Sequence, residues 1–600
     1  MNRLSVLSVF FLLSMSCKLM NKKQTEESGN MRFAQLLNNY YEQELKLYPL
    51  LATQNGDMRY NDLLQVDIAD SYRDSLKIFY KNYLDSLLQF SRKHLNDNDR
   101  ISYDILKREL SINLERLNSF HENYIPFNQF IGLPLTIGQL GSGDGAQPFN
   151  TIKDYENWLK RAAAFSRWTD SAIIYFRKGI DSNIVLPHSL VLKMIPQMED
   201  MVTTNIEKSI FFGPVKKIPV AIDSTNAKRI RGEFVKLIQE QLIPSYRKLA
   251  DFLRNEYLSK SRNTSGINAL PNGDVYYSFS VKTMTTTDES PEEIYQTGLN
   301  EVARIRKRMD SVKEAVGFKG TLPEFFEYMK TDKKFMPFKT SKEVLDAFEA
   351  IHQKMQPNLK RMFRLVPKTD FEIRQTEAFR AASASAEYIQ GSADGTRPGI
   401  FYVPILDATK FNTTSGMESL FLHEAIPGHH YQISLQQENS LLPNFRRLSN
   451  NDPFNNNAFV EGWALYCESL GKELGLYTDP YQYMGAMGDE IHRAIRLVVD
   501  VAIHTKGMTR EEAIKYMMNN EPISEQGATA EIERYMAIPG QALGYKTGAL
   551  KIRELRNKYE ELLGSKFSIT DFHDEILKDG AMPLQVLEKK MDVWAGRKNK

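Results

Sequence analysis

The sequence predicts a mainly α-helical protein with a small β-sheet, and three observations carry that expectation. Apolar residues recur at three- and four-residue spacing with charges between them, two later segments open with helix-capping boxes, and only three short stretches have strand-like composition. The chain has 600 residues, 42% hydrophobic and 25% charged, which is ordinary globular composition and enough to bury a large core.

Taken in order, residues 1–17 "MNRLSVLSVFFLLSMSC" place Arg3 before an apolar run from Leu4 to Leu13 and small residues before Cys17, as in a secretory signal. Cys17 resembles the lipidated cysteine of bacterial lipoproteins. The polar run 18–30 reads as a tether, so the expected location is the cell envelope, exported and held to membrane lipid through Cys17 on the periplasmic face or at the cell surface. Cys467 is the only other cysteine, which leaves the folded chain without an internal disulfide. After the signal, no window approaches the roughly 18 apolar residues that a membrane-spanning helix needs. The formal charge of +2 forms no basic stripe, and a nucleic-acid partner is set aside.

From residue 31 onward, "YRDSLKIFYKNYLDSLLQFSRKHL" (72–95) and "SYDILKREL" (102–110) show helical periodicity. Ser290-Pro291-Glu292-Glu293 and Thr509-Arg510-Glu511-Glu512 set an acceptor and a glutamate three apart, predicting helices from 291 and 510. The glycine cluster "GQLGSGDG" (138–145) lacks the Lys-Ser/Thr of a phosphate loop and reads as a loop. "VYYSFSV" (275–281), "FEIRQ" (371–375) and "GIFYVPI" (399–405) are rich in aromatic or β-branched residues and read as strands. A change of texture near 385 suggests two lobes, 31–385 and 386–600, without an independent linker.

The segment "FLHEAIPGHHYQ" (421–432) places His423, Glu424, His429 and His430 within eight positions of a chain that has ten histidines. Hydrolysis at zinc needs histidine or carboxylate ligands, an open position and a carboxylate that takes a proton from water. An H-E-x-x-H helix supplies these because residues four apart lie one above the other on one face. Here proline occupies position 427, where the second histidine of that motif would fall. On a straight helix His429 would lie about 9 Å along the axis and about 120° off the face of His423, and His430 about 10.5 Å along. Pro427 offers no N–H to the carbonyl of His423, and Gly428 tolerates backbone angles that other residues avoid. The helix should therefore bulge or break, returning either His429 or His430 to His423. A third ligand is expected from "NAFVEGWALYCESL" (457–470), with Glu461 as the first candidate and Glu468, seven residues on, as the second.

The strings "HEAIPGHHYQ", "FVEGWALY", "RAIRLVVDVAIHTKGMTREEA" and "AIPGQALGYKTG", with "TIKDYENWLKRA" and "SPEEIYQTGLNEVARI" earlier, resemble the bacterial family known as domain of unknown function 885, over most of the chain. That family is grouped with zincin-like metallopeptidases. The combination is also similar to the helical metallopeptidases of the thimet oligopeptidase and angiotensin-converting enzyme type, whose motif reads H-E-x-G-H and whose third ligand is a glutamate on a following helix. The resemblance implies a bilobed helical zincin-like fold with a small sheet at the active site and one Zn2+ per chain. Its metal ligands would be His423, His429 and Glu461, with His430 as the alternative second ligand. It implies Glu424 as general base for hydrolysis of peptide bonds, Tyr545 or His504 as donor to the oxyanion, and peptides as substrates. Arg493 and Arg496 would either pair with Asp500 or bind a substrate carboxylate, and "GIFYVPI" would be an edge strand along which an extended peptide lies. The other readings are a catalytically weak, peptide-binding lipoprotein of the same fold and a hydrolase of a non-peptide amide or ester.

Overall fold

The computed structural model describes residues 31–376, 385–391, 398–448 and 456–599. The signal and tether expected at 1–30, Cys17 included, lie outside the described residues, as does most of the turn-rich stretch that precedes the Glu461 helix. Among the described residues the protein is mainly helical, with one three-stranded sheet.

Helical periodicity and caps translate directly into elements. Residues 72–88 lie in helix Asp70–Leu88, and 102–110 lie in helix Asp97–Ser119. Both predicted capping boxes close reciprocally, at Ser290 with Glu293 and at Thr509 with Glu512, and start helices Pro291–Ala315 and Arg510–Asn520. Two expectations need correction. "VYYSFSV" is not a strand but part of helix Gly273–Thr285, because Tyr277, Val281 and Met284 share one buried helical face. Packing of Tyr277 and Val281 against Leu497, Val501 and Leu543 overrides the strand preference of the individual residues. "GQLGSGDG" is a turn only in its second half, since residues up to Gly141 belong to helix Leu133–Gly141.

The sheet consists of β1 (Phe371–Gln375), β2 (Glu387–Ile389) and β3 (Gly399–Val403) in the order β1-β3-β2. β3 pairs with β1 in parallel and with β2 antiparallel, so it is the central strand. The edge-strand role expected of "GIFYVPI" is therefore excluded: both of its hydrogen-bonding sides are taken within the sheet.

Among the described residues, two large apolar cores hold the fold together. One joins helices from residues 33–117 to segments after 343 and surrounds Trp463; the other joins residues 127–335 to residues 484–542. Helix Pro480–Thr505 contributes to both, through Ala486 to the first and Met487, Ile491 and Ile495 to the second. Helix Asn457–Glu468, which carries Glu461, lies against helix Leu543–Leu563 at Gly462 and Gly548. A methyl group added at Gly548 would stand 1.8 Å from the carbonyl oxygen of Ala458, so only glycine permits this approach. The contact fixes the height of Glu461 relative to the rest of the fold. Among the described residues, no helix is long and apolar enough to cross a membrane.

Candidate metal centre

Helix Met417–Glu424 ends at the glutamate of the motif, and helix His429–Glu438 begins at the first of the paired histidines. Between them Ala425 leaves helical angles (φ −104°, ψ −98°) and Gly428 adopts φ −75°, ψ −128°. The break is tight. A Cβ at Gly428 would lie 1.9 Å from the carbonyl oxygen of His423 and 2.4 Å from that of Leu422, which excludes every larger residue without rearrangement. The indole N–H of buried Trp463 donates to the carbonyl of Pro427 at 2.8 Å and ties the break to the glutamate helix.

This broken geometry replaces the separation of about 9 Å expected on a straight helix. The rings of His423 and His429 stand perpendicular with centroids 4.7 Å apart. Glu461 Oε2 is 3.5 Å from Nε2 of His423 and 3.5 Å from Nε2 of His429. One donor atom from each of the three residues falls within 4.8 Å of the other two. Ligands held about 2.0–2.1 Å from a tetrahedral ion are roughly 3.4 Å from one another, so the Glu461–histidine separations fit such an ion. Two imidazoles and one carboxylate also match the donor chemistry of zinc sites that leave a position open.

Glu468, the second ligand candidate, has a different place. Its Oε1 accepts a hydrogen bond from Nδ1 of His423 at 2.7 Å, which turns Nε2 toward Glu461. A carboxylate in this position fixes ring orientation and tautomer and raises the basicity of the other nitrogen. Burial works against a charged His423, but hydrogen bonds to Glu461 and Glu468 and the charge of Glu424 outweigh it and lift its pKa to about 10. Burial also opposes the Glu461 carboxylate, yet its two histidine partners hold its pKa well below the usual range. The pocket favours positive charge between these groups.

His430 points elsewhere. Its Nδ1 lies 3.0 Å from the Tyr388 hydroxyl on β2 and its ring packs on Phe371 of β1 at 4.8 Å. Burial lowers its pKa to about 4. The sheet thus braces the outer side of the motif through His430, and His429 is the histidine brought to His423.

Glu424 is 8% exposed, and burial raises its pKa against the opposing charges of His423, His429 and Arg493. Arg493 bonds to Asp489 Oδ1 at 3.4 Å on its own helix, while Arg496 bonds to Glu531 at 3.0 Å and to the Tyr535 hydroxyl at 3.1 Å. The pairing with Asp500 does not form, because Asp500 instead accepts from the Tyr277 hydroxyl at 2.6 Å and from the Gly540 N–H. Arg493 Nε and Arg496 Nη1 are buried without a hydrogen-bond partner among the described residues. The Arg496 guanidinium lies 4.6 Å from the ring centre of Tyr545, and Arg534 approaches the Tyr545 hydroxyl at 3.5 Å. Tyr545 therefore belongs to this cationic cluster.

His504 does not. It is fully buried, its Nδ1 accepts from the Ile267 N–H and its Nε2–H donates to the Tyr535 carbonyl, each at 3.0 Å. No ring N–H is left for a substrate, and the donor role expected of His504 is withdrawn.

Sequence reasoning missed Tyr388, Trp463 and Glu531, and it held Glu468 only as the second ligand candidate. The seven-residue spacing of Glu461 and Glu468 places both on one face of a helix, a signal that fits an orienting partner as well as a ligand.

Comparison with known proteins gives the family. Residues 49–591 match the family described as "Bacterial protein of unknown function (DUF885)". The chain belongs to that family. Among solved structures it is similar to "the putative lipoprotein from Colwellia psychrerythraea", at 28% identity and TM-score 0.85, over 95% of this chain and 99% of the other. It also shares the fold of "a putative lipoprotein of unknown function from Shewanella oneidensis", at 19% identity and TM-score 0.70, over 93% of this chain and 99% of that one. No curated protein matches.

Proposed function

We propose that this protein is a zinc metallopeptidase of the cell envelope, with the bilobed zincin-like fold and with His423, His429 and Glu461 holding one ion. The observation that carries this reading is the approach of Glu461 Oε2 to both histidine Nε2 atoms at 3.5 Å, with Glu424 adjacent in sequence to the first of them. Zinc, when bound there, supplies Lewis acidity to a substrate carbonyl and makes water more acidic.

The chain's own residues do the rest. Glu424 takes the proton of the attacking water and hands it to the leaving amine, and its burial moves its pKa toward the working range of a general base. Glu468 keeps the His423 ring in register. Tyr545 donates its hydroxyl to the developing oxyanion, positioned by Arg496 and Arg534. The guanidinium N–H groups of Arg493 and Arg496 that lack a partner among the described residues donate to a substrate carboxylate, which favours peptides with a free C-terminus. Anchoring through Cys17 agrees with the description of the two similar proteins as lipoproteins.

Digestion of a defined peptide mixture followed by mass spectrometry tests the activity. Cleavage by the wild-type protein, abolished by Glu424→Gln and by chelation, is expected. Intact peptides at every concentration of added zinc would refute it.

A further inference from the structure

A cavity of about 400 Å³ lies behind the candidate metal centre, between helices Pro291–Ala315, Asn457–Glu468, Pro480–Thr505 and Leu543–Leu563. Glu468 belongs to its wall and also bonds to His423, so the cavity and the centre share one residue.

The charges around the cavity divide into two groups. Lys546 is 2.9 Å from both Glu301 and Glu490, and Arg304 bonds to the same two glutamates, which closes a neutral ring. Arg308, Lys472 and Arg553 are different. None has a carboxylate within 4.0 Å among the described residues. Their neighbours are neutral: Arg308 donates to the Tyr483 hydroxyl, Lys472 sits 4.0 Å above the Tyr483 ring, and Arg553 donates to the Ser469 hydroxyl. Among the described lining residues, these three cations, of which Arg308 and Lys472 are exposed, share the cavity with one acid outside the ring, Glu468, whose Oε1 bonds to His423. Its Oε2 is buried without a partner among the described residues, in a residue 5% exposed. Leu465, Met487, Ala549 and Leu550 supply an apolar wall between these polar ends.

We infer that this cavity is a second binding site, distinct from the metal centre, for a small organic dianion with an apolar body, such as a phosphate monoester or a dicarboxylate. Arg308, Lys472 and Arg553 hold the charged end through charge-assisted hydrogen bonds, and the wall at Leu465 and Leu550 covers the body. Two negative charges offset most of the charge of the three cations, because Glu468 already bonds to His423. A hydrogen-bond donor on the ligand would meet Glu468 Oε2, which otherwise bears the cost of an unsatisfied buried acceptor.

Calorimetric titration of the purified protein with phenyl phosphate and with phthalate tests the site, and His429→Ala protein and chelator-treated protein exclude capture at the metal centre. One-to-one binding with Kd below about 1 mM is expected, weakened at least about tenfold by Lys472→Ala and by Arg553→Ala and retained in the His429→Ala and chelated samples. Inorganic phosphate should bind more weakly than phenyl phosphate. Absence of saturable binding up to about 10 mM would overturn the inference, as would binding that survives both cavity substitutions or disappears when the metal centre is disabled.

Discussion

Glu468 accepts a hydrogen bond from Nδ1 of His423 at 2.7 Å, and that contact decides which nitrogen of His423 faces Glu461. Because Glu468 is two turns beyond Glu461 on the same helix, one element supplies both a prospective ligand and the group that aims a second one. Removing the aiming carboxylate should weaken metal binding without abolishing it. Glu468→Ala is expected to lower zinc affinity by about 10- to 100-fold in chelator competition, with Glu468→Gln between it and wild type. Unchanged affinity in both would reduce Glu468 to a packing role.

The break at 425–428 makes a steric prediction. Gly428→Ala places a methyl group 1.9 Å from the His423 carbonyl, so the two halves of the motif must separate or the helix ends must shift. A loss of about 1–3 kcal/mol in stability, read by chemical denaturation, should accompany reduced metal content. Trp463→Phe removes only the N–H that holds the Pro427 carbonyl and should cost about 1 kcal/mol.

Glu424→Gln separates chemistry from binding. The substitution keeps the shape of the side chain and leaves all three proposed ligands in place. Metal content should stay at the wild-type level while peptide cleavage falls by about 10²- to 10⁴-fold. Loss of the ion in this variant would instead assign Glu424 to metal coordination.

Acid sensitivity follows from His504 and His573. Burial lowers both to about 3, from the ordinary histidine value of 6.5. The folded state holds them neutral and the unfolded chain takes up protons first, so their contribution to stability is complete above about pH 6.5 and is lost as pH falls toward 3. Each group adds a slope of up to about 1.4 kcal/mol per pH unit in that window. Burial raises Asp489 to about 6 and Asp500 to about 7, which opposes this slope, so the test is the comparison of variants. From pH 7 to pH 4 the unfolding free energy of His504→Asn should fall less than that of the wild type, and identical pH dependence of the two would contradict the burial of this ring.

The helices starting at 291 and 510 were legible because their caps are local: four consecutive residues satisfy the free N–H groups without help from the fold. Pro427 and Gly428 announced the motif break for the same reason. Residues 275–281 were misread because their helical state depends on Leu497, Val501 and Leu543, more than 200 positions away. The central position of β3 was hidden because it depends on β1 and β2, which sequence alone does not order. For His504, a histidine near the motif looked chemical, while the backbone groups of Ile267 and Tyr535 that occupy both its nitrogens were invisible. The Glu461 assignment sits between these cases, with its helix local and its distance to the histidines set by the Gly462–Gly548 contact.

The central claim is the metal site, and elemental analysis of the purified protein beside four single variants addresses it most directly. About one zinc per chain is expected, lost in folded His423→Ala, His429→Ala and Glu461→Ala proteins and retained in His430→Ala. No bound metal, and none taken up when zinc is added, would contradict the account, as would a zinc ion that depends on His430 instead of His429.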